Sequence, residues 1–209
     1  VTQEERSAPP RRWGTASALL DDDEARRRLM AAAERCIVAR GTARVSMAQV
    51  ADEAGVNRST LYRYFASRDE LLVELVVSRI DAATAEVVES LLDPRDAARS
   101  LQEIIVRSIS SVAPSPLNAA LFSERSHGLV AELELGSERV VDAYLARLRP
   151  LLDAWRADGQ LRPDLDVRET VRWMIAVSLT LLGSPWRTRS LSERALAVEQ
   201  YFVRAVVTP

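Results

Sequence analysis

The 209-residue sequence contains no lysine, one cysteine and one histidine. Cys36 cannot form an internal disulfide, and with His127 as the sole imidazole the chain lacks the ligands for a structural zinc site or a His-rich catalytic cluster. Only seven glycines are present, none in a Gly-rich strand-to-helix turn, which excludes a phosphate-binding loop or dinucleotide fingerprint. Long apolar runs are missing as well. The longest, Trp173–Leu182, is half of the roughly 20 residues that a bilayer span needs. Residues 1–20 lack the apolar core of a secretory signal, and no segment shows the period-two alternation of a strand. These absences predict an all-α, cytoplasmic protein with no metal, no cofactor and no membrane partner.

What remains is an ordinary globular mixture, 47% hydrophobic and 28% charged, with charge unevenly placed. Residues 1–68 carry twelve Arg against nine acids, and 69–209 carry sixteen against twenty-one. Within 26–68 the ratio is nine to three, a local patch of the kind that meets phosphate. Arginine suits bidentate contacts, although a GC-rich codon bias produces the same composition.

Periodicity and caps divide the chain. Residues 1–20, with Pro9, Pro10 and Gly14, read as a flexible arm. Asp21–Asp23 and Glu24 start a helix whose stripe Leu29, Ala32, Ala33, Cys36, Ile37 runs to Gly41. Ser46 caps a short helix with Met47, Val50, Ala51 and Ala54 inward, and Gly55 ends it. Asn57 caps a third, in which Leu61 and Phe65 face inward and Arg58, Ser59, Thr60, Tyr62, Arg63 and Tyr64 are left on other faces. Ser67 begins a helix from Arg68 to about Leu92, stopped by Asp93-Pro94. Further helices are predicted over 95–113, in short pieces across 117–135, over 137–158, Val167–Leu182 and Leu191–Val207.

Two short helices joined through Gly, the second with an over-polar outer face, make a helix-turn-helix whose second helix is shaped for the DNA major groove. Helices this short need neighbours to bury Val50, Leu61 and Phe65, so a three-helix DNA-binding domain is expected over 21–67. The segment 45–72, VSMAQVADEAGVNRSTLYRYFASRDELL, resembles the signature of the TetR family of bacterial transcriptional regulators: V-A-x-x-A-G-V, then T-L-Y-x-[YH]-F, then S-K-[DE]-x-L. The likeness covers about 22–75, with Arg68 where Lys is usual.

That resemblance implies a homodimeric, ligand-responsive regulator of double-stranded DNA, a repressor rather than an activator, and not an enzyme. The alternatives are an activator or a sequence-indifferent DNA-binding protein of the same fold. Ser46 can offer its hydroxyl and helix N-terminus to a phosphate. Arg58, then Arg63, are the fork-shaped donors suited to guanine, with Ser59 and Thr60 beside them. Tyr62, Tyr64 and Arg68 resemble the family's phosphate-contacting residues, and Arg44 is a further phosphate candidate. Arg26–Arg28 read as a solvated run, and Arg11 and Arg12 as arm residues able to enter a minor groove.

Residues 68–209 are expected to form the effector-binding and dimerisation domain. The helix 167–182 is apolar on nearly every side and wants a partner. The last helix repeats Leu191, Ala195, Val198, Phe202 at bundle spacing, so the dimer seam is expected at these residues with Val171, Ile175 and Leu182. Leu121, Phe122, His127, Tyr144, Trp155, Trp173 and Met174 are the candidate lining of a pocket for a lipophilic or aromatic effector. Glu124, His127, Glu132 and Glu134 form the one loop-rich group with acid–base potential, and it lacks a nucleophile or metal set.

Overall fold

The computed structural model describes residues 22–111, 115–183 and 185–209. The arm expected over 1–20, with Arg11 and Arg12, lies outside them. The described residues form helices α1 (Asp22–Arg40), α2 (Met47–Ala54), α3 (Arg58–Tyr64), α4 (Arg68–Glu89), α5 (Ala97–Ser110), α6 (Pro116–Leu121), α7 (His127–Gly136), α8 (Glu138–Ala157), α9 (Val167–Leu182) and α10 (Leu191–Ala197). A wide π-type turn (Val198–Val203) and a last turn (Arg204–Val206) follow. An isolated bridge, Leu161 to Val207, is the one sheet-like pairing among the described residues.

The polar residues at the helix ends act as anticipated, with two exceptions. Ser46 closes a capping box with Gln49, and Ser67 accepts from the Glu70 amide. Asn57 occupies the N-cap position of α3 without a side-chain cap bond. The predicted stop of α4 at Asp93-Pro94 comes early: Ser90 bonds back to the Glu86 carbonyl at 2.6 Å, competing with the ladder, and the helix ends at Glu89.

Two apolar cores divide the described residues. The front core joins α1, α2 and α3 through Leu29, Ile37, Val50, Leu61 and Phe65, and it also takes Leu71, Leu72 and Leu75 from α4, with Leu117, Leu121 and Val130 from α6 and α7. The rear core is built from the C-terminal half of α4 (Val76, Ile80) and from α5, α8, α9 and the C-terminal segment. The front core therefore extends past residue 67, because α1 and its partners are too short to enclose themselves. Helix α4 contributes buried residues to both cores.

The C-terminal segment departs from the continuous helix predicted over Leu191–Val207. The π-type turn inserts an extra step, so Val198, Phe202, Val203 and Val206 turn inward and Ala205 is carried to the surface.

Candidate nucleic-acid interface

The sequence places Gly55 where the chain turns from α2 to α3 at φ 67°, a left-handed conformation that favours glycine. Its amide closes on the Ala51 and Asp52 carbonyls. The turn sets α3 against α2 with Leu61 and Phe65 fully enclosed, and this fixes which side of α3 remains outside.

On that outer side Arg58 and Ser59 are exposed, Thr60 is half-buried, and Tyr62 keeps 50% of its surface. Arg58 makes no hydrogen bond or ion pair among the described residues, which leaves its fork free for a base edge or phosphate. Ser46 is exposed at the start of α2, with its amide and hydroxyl engaged by Gln49.

Four other predicted contacts are committed elsewhere in the free chain. The Arg63 guanidinium lies 4.9 Å from the Tyr64 ring centroid and donates to its hydroxyl at 2.9 Å. That hydroxyl in turn donates to Asp22 of α1 at 3.4 Å. Arg68 donates twice to Asp69, at 2.9 and 2.7 Å. Arg44 donates from Nε to the Arg125 carbonyl at 2.8 Å, so it faces the α6–α7 junction. Arg26 lies 5.3 Å from the Phe65 ring centroid, and Arg27 and Arg28 pair with Glu24.

Arg44 belongs to a junction that sequence reasoning did not find. Ser126, 0% exposed, shares a hydrogen bond with Thr42 Oγ1 at 2.9 Å and accepts from the Ala43 amide at 2.7 Å. Ser123 donates to the same Ser126 oxygen at 3.1 Å. The segment that leads into α2 is thus tied to the start of α7. One residue on, the His127 ring is 2.8 Å from the Leu179 carbonyl of α9. An isolated serine in a loop carries no sequence signal of such a role.

The predicted pocket residues do not converge on one place. Leu121 lies in the front core, and Phe122 borders both cores. Trp155 is enclosed in the rear core and donates to the Pro94 carbonyl at 2.8 Å. Trp173 is 66% exposed on the outside of α9 and lines no interior space. His127, Tyr144 and Met174 come from α7, α8 and α9, which pack on one another, with Met174 in the rear core and Tyr144 against it. Glu134 of α7 is buried, and burial pushes its carboxyl up to about 8. Burial, and then the Glu134 charge, push the Tyr144 phenol up as well. The acidic group containing Glu134 is dispersed: Glu124 is exposed and pairs with Arg187, and Glu132 is exposed.

The expected dimer seam is largely turned inward. Val171, Ile175, Leu182, Val198 and Phe202 are buried in the rear core of the single chain, Ala195 is half-buried, and Leu191 is exposed. The outer surface instead carries Trp173, Thr180, Leu196 and Tyr201, the last 78% exposed. Val177, Thr180, Leu181, Trp186, Val198 and Tyr201 line a groove of about 220 Å³ there.

A helical body carrying a helix-turn-helix with an outward basic and aromatic face defines a DNA-binding protein. Residues 29–75 match the family described as bacterial regulatory proteins, tetR family. The chain is 31% identical over 180 residues to the uncharacterized HTH-type transcriptional regulator Rv1255c of Mycobacterium tuberculosis, covering 85% of this chain and 83% of that one. It therefore belongs to the TetR family of bacterial transcriptional regulators, which are not enzymes. Two solved structures share the fold. The Rhodococcus erythropolis transcriptional repressor QsdR matches with TM-score 0.64 and 20% identity over 85% of this chain and 94% of its own. The Bacillus subtilis regulator FadR, solved with stearoyl-CoA, matches with TM-score 0.59 and 20% identity over 85% and 97%. Among the described residues no helix is long and apolar enough to cross a membrane.

Proposed function

We propose that this chain is a repressor that binds a near-palindromic operator as a homodimer and is released when a lipophilic or aromatic small molecule occupies its rear body. The observation that carries the reading is the outer face of α3, where Arg58 has no partner among the described residues and Tyr62 is half exposed above a fully enclosed Leu61 and Phe65. Arg58 reads base edges, with Ser59 and Thr60 beside it, while Tyr62 and Ser46 hold phosphates. Arg63, Tyr64 and Arg68 reach the backbone by exchanging their internal partners for phosphate.

The exposed face of α9 and the C-terminal segment supports the dimer, since Trp173, Thr180 and Tyr201 are exposed among the described residues and Val177 is only half-buried beside them. A two-fold axis there sets two α3 helices apart by about 34–36 Å, one turn of DNA. The repressor QsdR and the ligand-bound FadR support the sign of regulation and the use of the rear body by a small molecule. Release follows if the effector prefers a conformer in which α4, shared by both cores, has shifted and the α3 spacing no longer fits the groove. By linkage, operator then weakens effector binding by the same factor.

Selection from a random-sequence duplex pool tests the reading, followed by sedimentation of protein alone and bound. Enrichment of an inverted repeat with half-sites one turn apart, bound by two chains, is expected. Recovery of unrelated sequences would contradict it.

A further inference from the structure

Glu134 lies on the inward face of α7, continuing the stripe of His127 and Val130, and is 5% exposed. Its carboxyl makes no hydrogen bond and no ion pair among the described residues. Tyr144 of α8 stands close enough for the Glu134 charge to act on its phenol, and that hydroxyl is also without a hydrogen-bond partner among the described residues.

A carboxyl drawn out of water with no donor beside it is destabilising, and a leucine would serve packing better at this position. A few convergent polar groups set in apolar walls are what orient a small molecule in a binding site. The cations of the surrounding helices lie outside: Arg139 pairs with Glu74, Arg147 with Asp81, and Arg168 and Arg172 with Glu138, while Arg79 and Arg149 are exposed. The His127 ring is held by the Leu179 carbonyl. At neutral pH burial keeps the Glu134 carboxyl largely protonated in the free chain, so the interior beside α7 presents a carboxyl and a phenol with no arginine among the described residues paired to either. A cation brought beside the carboxyl would release its proton to water and leave a carboxylate. Such a site complements a head group that carries positive charge and donates several hydrogen bonds.

We infer that Glu134 and Tyr144 form the polar anchor of the effector site, and that it takes a protonated amine carried on an apolar or aromatic body. The inference rests on the reading of the rear body as the effector domain. It also separates this chain from regulators whose ligand presents a carboxylate or phosphate to the protein, because an anion beside Glu134 meets no compensating arginine among the described residues and keeps the carboxyl from ionising.

The test uses three probes with one carbon skeleton, 4-phenylbutylamine, 4-phenylbutanol and 4-phenylbutyrate, titrated by calorimetry into the full chain without DNA at neutral pH. The amine is expected to bind at least tenfold more tightly than the alcohol, and the butyrate more weakly than either. Glu134→Gln, which keeps the shape and cannot ionise, is expected to erase the preference for the amine. Tyr144→Phe is expected to weaken the amine a few-fold with little change for the alcohol. The inference is overturned if no probe binds, if the butyrate binds as well as the amine, or if Glu134→Gln keeps the preference. Operator binding measured without any probe reports on the regulator reading separately, so the two can fail independently.

Discussion

Glu134 makes the stability of the free protein depend on pH in a direction set by its burial. Its carboxyl is held at about 8 in the folded chain against an ordinary 4.5, the cause being desolvation. The folded state keeps a proton that the unfolded state releases, so the stabilisation is fully present below about 4.5 and is lost as pH rises through about 8. At about 1.4 kcal/mol per pH unit, the whole window corresponds to about 4–5 kcal/mol, and the part above pH 5.5 to roughly 3 kcal/mol. Glu134→Gln removes the titrating group and keeps its volume. Urea denaturation of both proteins at pH 5.5, 7.0 and 8.5 isolates the effect, because other titrating groups contribute equally and cancel in the difference. The variant is expected to gain roughly 3 kcal/mol on the parent between the two extremes. Parallel stability curves across that range would refute the reasoning, since they would mean that the Glu134 carboxyl titrates alike folded and unfolded.

Other outcomes follow from the same geometry. Ser126→Ala strips the fully enclosed Ala43 amide and the Thr42 hydroxyl of their shared partner, and is expected to cost about 2–3 kcal/mol in denaturation. Ser126→Thr, which keeps a hydroxyl, should recover part of the loss if the added methyl is accommodated. Arg58→Ala should weaken operator binding by about 1–3 kcal/mol and relax base preference at one position per half-site, read by competition with single-base variants. Tyr62→Phe should weaken binding uniformly across sequences, in the same assay. Trp173→Glu with Tyr201→Glu should shift sedimentation at micromolar concentration from dimer to monomer, while the helical circular dichroism signal stays unchanged.

The front of the molecule was legible because its signals are local. Caps at Ser46 and Ser67, the left-handed turn at Gly55 and the inward pair Leu61 and Phe65 each follow from a few adjacent residues. The all-α class was legible for the same reason. The engagement of Tyr64 and Arg44 by partners in the free chain was less so, since Asp22 and Arg125 are brought near by tertiary packing. The rear body resisted for two physical reasons. A helix apolar on nearly every side, as in α9, does not declare which stripe faces its own chain, and the structure buries Val171 and Ile175 while exposing Trp173. A wide turn at Val198–Val203 shifts the register of the last helix by a step that periodicity does not reveal. Ser126 and Glu134 acquire their significance from burial alone, which a sequence pattern does not show for a single polar residue.

The central claim is that the outer face of α3 reads a particular DNA sequence. A competition titration tests it most directly, with the parent chain and Arg58→Ala each bound to a labelled duplex from the selected pool and challenged with random DNA at fixed salt. The account predicts a preference of about 10³ or more for the selected site, greatly reduced in the variant. Equal affinity for selected and random DNA, or a preference untouched by the loss of Arg58, would contradict it.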